Sequence, residues 1–294
     1  MTRPIIVGLD GSPESRAAAD WAAREARRRE VPVRLVYAWT VPPQPTSGPR
    51  ADGADEAGDE PARGLLEETR VDLTSHHPGV TVSTERASQE PVPALVARSE
   101  GAEMVVLGSR GHGAALGFLL GSVGLRVLAQ AKAPVVLVRR PSDDATGAPD
   151  PEEVVVGVQD TAESAGPVLE FAFATAAARR APLRAVRAWS LPPVFAYSPQ
   201  SLRLLDEAGG LEPYERGALA EAVRPWREKF PDVAVTEHVE IGSAAEVLLG
   251  SAARAGLLVV GRGTHRPPLV PYVGHVAHAA LHHARCPVAV VPHG

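Results

Sequence analysis

Gly108-Ser109-Arg110-Gly111-His112-Gly113 follow directly on the apolar run 103–107. Ten residues past Gly111, Gly121-Ser122 open an apolar helical stretch that ends at Lys132. Glycine lets a backbone turn sharply and approach a ligand closely. N–H groups around such a turn, with a serine hydroxyl and a helix start beside them, are suited to phosphate oxygens. The chemistry indicated is anion binding. Structural turns use glycine for the same backbone reason, so the loop alone leaves a folding role and a phosphate role equally open.

The commoner nucleotide fingerprints are absent. There is no GxxxxGK[ST], and the first turn, Gly8-Leu9-Asp10-Gly11-Ser12, is not GxGxxG. No GxSxG elbow supports a Ser/His/Asp hydrolase. Cys286 precedes Pro287 at a strand entry, where a small buried residue is ordinary. His275, His278 and His282 stand at i, i+3 and i+7, with His283 and Cys286 after them. That spacing could ligate zinc or nickel, but metal sites usually draw ligands from several elements. These histidines read as partly exposed groups at a domain contact, and no metal-ligating residue is assigned. Trp21, Trp39, Trp189 and Trp226 fall in helix or strand patterns and read as packing, not as a platform for single strands.

The elements that must position the glycine loop repeat twice. In the first half, apolar runs near 4–9, 31–39, 80–86, 103–108 and 134–139 alternate with helical patterns. Fully apolar strands such as Val135-Val136-Leu137-Val138 fit a parallel sheet covered on both faces. Ser12 followed by Pro13 marks the first helix start. The second half has strands near 153–158, 182–189, 233–240, 257–261 and 287–291. Aligned without gaps, Met104–Val138 and Leu257–Val291 share 11 identities in 35 positions, where chance gives about three or four in such a composition. Pro141–Pro151 is a linker rich in Pro, Asp and Gly, which predicts domains at 1–140 and 152–294. Residues 41–63, proline-rich and acidic, read as an unstructured excursion after the second strand.

Composition excludes several classes of function. The chain has 294 residues, 45% hydrophobic and 22% charged, which fits two globular domains. A net charge of −5 with no basic stripe argues against nucleic acid. Arg27, Arg28 and Arg29 fall at a helix end, where positive charge complements the dipole. One cysteine permits no internal disulfide, and neither a signal segment nor a membrane span is visible, so a cytoplasmic protein is expected.

Taken together, Val7-Gly8-Leu9-Asp10-Gly11-Ser12 and Gly108-x2-Gly111-x9-Gly121-Ser122 resemble the universal stress protein family, over both halves of the chain. The resemblance implies two tandem doubly wound α/β domains, each with a five-stranded parallel sheet of order 3-2-1-4-5, and ATP with Mg²⁺ bound in the ATP-binding branch. Carried over residue by residue, Asp10 and Gly8 would face the nucleoside and the backbone at Ala38 the adenine edge. Gly108, Ser109, Arg110, Gly111, His112 and Gly113 would surround the phosphates, with Gly121 and Ser122 completing the cradle. In the family the last strands of two domains commonly pair, which here would join Val135–Val138 to Val288–Val291 within the chain; a further homodimer stays open.

The second copy departs from the pattern. Gln159 aligns with Asp10, Thr264 with Gly111 and His275 with Ser122, while Arg266, Pro267 and Pro268 replace Gly113, Ala114 and Ala115. A β-branched Thr would strain a positive-φ backbone, and Gln159 removes the carboxylate. One working nucleotide site and one degenerate copy are therefore expected. The resemblance implies a stress-linked regulator whose nucleotide biases binding of an unidentified protein partner. A slow ATPase or nucleotidyl transferase, and a scaffold without nucleotide, are the alternatives.

Overall fold

The computed structural model describes residues 2–40, 56–109, 121–139, 152–159, 162–190, 210–264 and 273–294. Arg110, Gly111, His112 and Gly113, with Arg266, Pro267 and Pro268, lie outside them. The chain divides into two compact units.

In the first, β1 (Ile5–Leu9), α1 (Pro13–Arg29), β2 (Val33–Ala38), α2 (Glu56–His76), β3 (Val82–Ala87), α3 (Pro91–Ser99), β4 (Met104–Gly108), α4 (Ser122–Gln130) and β5 (Val135–Val138) follow in order. Their strands form a parallel sheet of order β3-β2-β1-β4-β5. The second unit holds β6 (Val154–Gly157), α5 (Ala162–Arg179), β7 (Leu183–Trp189), α6 (Glu212–Lys229), β8 (Val235–Ile241), α7 (Ala244–Ser251), β9 (Leu257–Gly263), α8 (His275–His283) and β10 (Val288–His293). Its sheet is again parallel, ordered β8-β7-β6-β9-β10.

The central strands are buried because both faces are covered, so their residues have no polar side to present. Ile5, Val7, Met104, Val105 and Val106 have no exposed surface, nor do Val154, Val155 and Val156. Helix α1 lies close to its sheet because its inner face is small: Ala18, Ala19, Ala22 and Ala23 are fully buried. Its start is set as the sequence predicts, with the Ser12 hydroxyl accepting from the Ser15 N–H at 3.1 Å and Pro13 in the first turn. Arg28 and Arg29 of its last turn are engaged by carboxylates, at 2.8 Å to Glu25 and 3.1 Å to Glu103. The basic run is thus tied into the unit as well as placed at the dipole's negative end.

The expected excursion at 41–63 needs correcting. Residues 56–63 are the start of α2, whose stripe of Ala62, Leu66, Thr69 and Leu73 is buried at helical spacing, and Pro61 stands inside the helix. Burial of that stripe outweighs the local proline signal. Residues 41–55 lie outside those described. The second correction concerns β9 and β10, which run two residues further than their sequence patterns and pair Arg262 with Pro292 and Gly263 with His293.

Candidate functional site

The first unit's site lies at the carboxyl ends of β1 and β4, where open α/β sheets bind ligands. Past Leu9 the chain turns through Gly11, at φ 82°, into the cap of α1. A carboxylate oxygen of Asp10, an exposed residue, accepts from the Ser12 N–H at 2.9 Å and from its hydroxyl at 2.6 Å. The Ser15 hydroxyl in turn donates to the Ser12 carbonyl at 2.9 Å. Asp10 is thereby held in one orientation at the mouth, with a charge that can meet ribose hydroxyls or a cation.

The two strand glycines, Gly8 and Gly108, are needed for packing. A Cβ on Gly108 would sit 2.8 Å from the Glu14 carbonyl carbon and 2.9 Å from the Ser15 nitrogen, both backbone atoms of α1. A Cβ on Gly8 would meet Leu107 at 2.6 Å and Leu95 at 3.3 Å. Close approach of Gly108 to α1 brings the Asp10–Ser15 turn against the end of β4.

Ser109, buried, donates its N–H to the Val138 carbonyl at 2.8 Å, and its own carbonyl accepts from the Gly121 N–H at 3.4 Å. The last bond brings together the two ends of the spaced motif, which are twelve positions apart in sequence. Gly121 caps α4 at φ −59° and ψ 139°, a conformation open to any residue, and Ser122 is exposed at the first position. No acidic residue occupies the first turn of α4, so its N-terminal partial positive charge is not met by its own side chains. Ala38, half-buried, ends β2. Because the Trp39 N–H donates to Ala87 of β3, ladder alternation turns the Ala38 N–H and C=O the other way, toward the end of β1. Asp10, Ala38, Gly108, Ser109, Gly121 and Ser122 thus stand at one end of one sheet.

In the second unit other residues stand at the corresponding place. Arg187 donates to the Gln159 carbonyl at 3.1 Å and pairs with Glu215 at 2.6 Å, both side chains mostly buried. Gly261, the counterpart of Gly108, lies beneath His293, whose ring atoms would be 2.8 Å from an added Cβ. Thr264 donates both its N–H (2.9 Å) and its hydroxyl (3.1 Å) to the His293 carbonyl. It does so without strain, since among the described non-glycine residues only Glu30 and Arg180 have positive φ. The position of Ser109 is taken by Arg262, buried at 7% exposure, whose pKa burial lowers from its usual range. Sequence reasoning missed Arg262 and His293; a charged residue inside an otherwise apolar strand was the available signal.

Among the described residues no three His, Cys, Asp or Glu side chains gather around a metal position, and no helix is long and apolar enough to cross a membrane.

A fold of two such sheets with this turn and loop is that of the universal stress proteins, and comparison with known proteins agrees. The profile of the Universal stress protein family matches residues 1–139 and again 152–292. The chain belongs to this family. Universal stress protein Rv2005c of Mycobacterium tuberculosis is 34% identical over 97% of this chain and 96% of its own. A universal stress protein of Mycolicibacterium smegmatis is 33% identical over 98% and 96%. Among solved structures, a universal stress protein from Archaeoglobus fulgidus superposes with a TM-score of 0.70 over 99% of this chain and 98% of that one; at 17% identity it supports the fold alone.

Proposed function

We propose that the first unit binds ATP with Mg²⁺ and that the second does not, making the protein a nucleotide-dependent regulator of the stress response. The observation that carries this reading is the meeting of Asp10, Gly108, Ser109 and Gly121 at one sheet end, through the Gly108 approach to α1 and the 3.4 Å bond from Gly121 to Ser109. Phosphates belong at the start of α4 and along the loop that carries Arg110, Gly111, His112 and Gly113, the nucleoside near Asp10 and Gly8, the adenine edge at the Ala38 backbone. Mg²⁺ fits as a companion of the phosphates, because Asp10 is the one carboxylate assigned to the site and cannot enclose an ion by itself.

Binding is favoured over turnover by the state of Asp10. Its carboxylate is committed to Ser12 by two hydrogen bonds, so it orients a ligand better than it abstracts a proton. Nucleotide occupancy regulates by favouring one state of the protein toward an unidentified protein partner, which requires different affinities in the two states.

Displacement of a fluorescent ATP analogue from nucleotide-stripped protein tests the site. Weakened binding in Asp10→Ala and Gly121→Ala, with phosphate release at background in the parent, supports the reading. Turnover well above background that vanishes in Asp10→Ala would make the protein an enzyme, and no displacement would make it a scaffold.

A further inference from the structure

We propose that His278 and His282 on α8 form an open two-histidine site for a borderline divalent transition ion, Ni²⁺, Cu²⁺ or Zn²⁺. The two residues are one helical turn apart, so they share a face. His278 is exposed and His282 half-buried, and their ring centroids are 4.3 Å apart with planes tilted by 38°. Two imidazoles bound side by side to one ion at about 2.1 Å, at right angles, have centroids about 4.5 Å apart. The centroid separation of the pair matches that of two rings on one ion; convergence of their nitrogens on that ion is part of the proposal.

Ligand chemistry sets the class of ion. Neutral imidazole suits Zn²⁺, Cu²⁺ and Ni²⁺, whereas Mg²⁺ and Ca²⁺ take oxygen ligands. Water fills the positions that the two nitrogens leave open. His275 begins the same helix one turn earlier, and His283 lies 6.3 Å from His282, centroid to centroid, beyond the pair.

Comparison of the copies sharpens the assignment. With the offset that aligns Gly121 with Gly274, Leu125 and Ala129 stand where the second copy has His278 and His282. The imidazole pair is therefore a property of the second unit, on the helix that follows its degenerate motif.

The test uses the full chain without an affinity tag, stripped of metal by a chelator. Titration with Ni²⁺ is expected to show one ion per chain on this pair. Either His278→Asn or His282→Asn should weaken it roughly 10- to 100-fold, since each removes one arm of a chelate. His76→Asn and His238→Asn should leave affinity unchanged, and Mg²⁺ should not compete. With Cu²⁺, electron paramagnetic resonance should show hyperfine splitting from two nitrogens, reduced to one in either single variant. Because His278 is exposed, its variant keeps the test decisive if His282→Asn folds poorly. Absence of Ni²⁺ binding, displacement by Mg²⁺, or affinity and splitting unchanged in the His278 variant would overturn the proposal.

Discussion

The Gly121 N–H donates to the Ser109 carbonyl across 3.4 Å, joining the two ends of the glycine motif, and Gly121 itself has φ −59°. Its counterpart in the second copy, Gly274, has φ 87°. The same residue type therefore serves two purposes. At Gly121 the backbone is open to any residue, so under the proposed function its glycine leaves room for the phosphates; at Gly274 glycine relieves strain.

Alanine separates the two. Gly274→Ala should lower stability by about 1–3 kcal/mol, read as a lower urea midpoint, with nucleotide affinity unchanged. Gly121→Ala should leave the urea midpoint nearly unmoved and weaken ATP binding.

Gly108→Ala is expected to destabilise by about 1–3 kcal/mol, because the new methyl meets the α1 backbone at 2.8 Å. Gly8→Ala should cost less, since Leu107 and Leu95 meet it with the ends of flexible side chains. Chemical denaturation of the two variants side by side checks the order.

Ser12→Ala removes the cap of α1 and the hydroxyl bond to Asp10, and leaves the bond from the backbone N–H of residue 12 to the same carboxylate oxygen. A loss of about 1 kcal/mol is expected from the cap, together with weaker ATP binding through a less tightly held Asp10. Asp10→Asn keeps a carbonyl acceptor for the turn, and should spare stability while still weakening binding.

Glu25 is fully buried and holds Arg28 at 2.8 Å and Arg29 at 3.7 Å. Glu25→Ala takes from Arg29, whose side chain is 8% exposed, one of the carboxylates that hold it. Breaking a buried pair on one side costs roughly 3–5 kcal/mol, so this variant should show the largest fall in melting temperature of those described.

The order of strands and helices, the repeat and the Ser12 cap were legible because each is written in local pattern. What needed the structure was decided by non-local contact. Ala62, Leu66, Thr69 and Leu73 form a helical stripe only once a sheet exists to bury them, so the prolines and acids before them outweighed it in sequence. Extension of β9 to Gly263 depends on β10 lying beside it. The identity of Gly108 is explained by α1, ninety-odd residues away in sequence. The His278–His282 spacing was visible, but the 4.3 Å approach of the rings is a matter of side-chain rotamers. Of the site itself, Asp10, Ala38, Gly108, Ser109, Gly121 and Ser122 are brought to one sheet end, while Arg110, Gly111, His112 and Gly113 rest on the resemblance.

The most direct test of the asymmetry between the units is calorimetric titration of nucleotide-stripped protein with ATP and Mg²⁺. One site per chain, lost in Gly121→Ala and kept in Gly274→Ala, is the predicted result. Two sites per chain, or one that survives Gly121→Ala and disappears in Gly274→Ala, would contradict it.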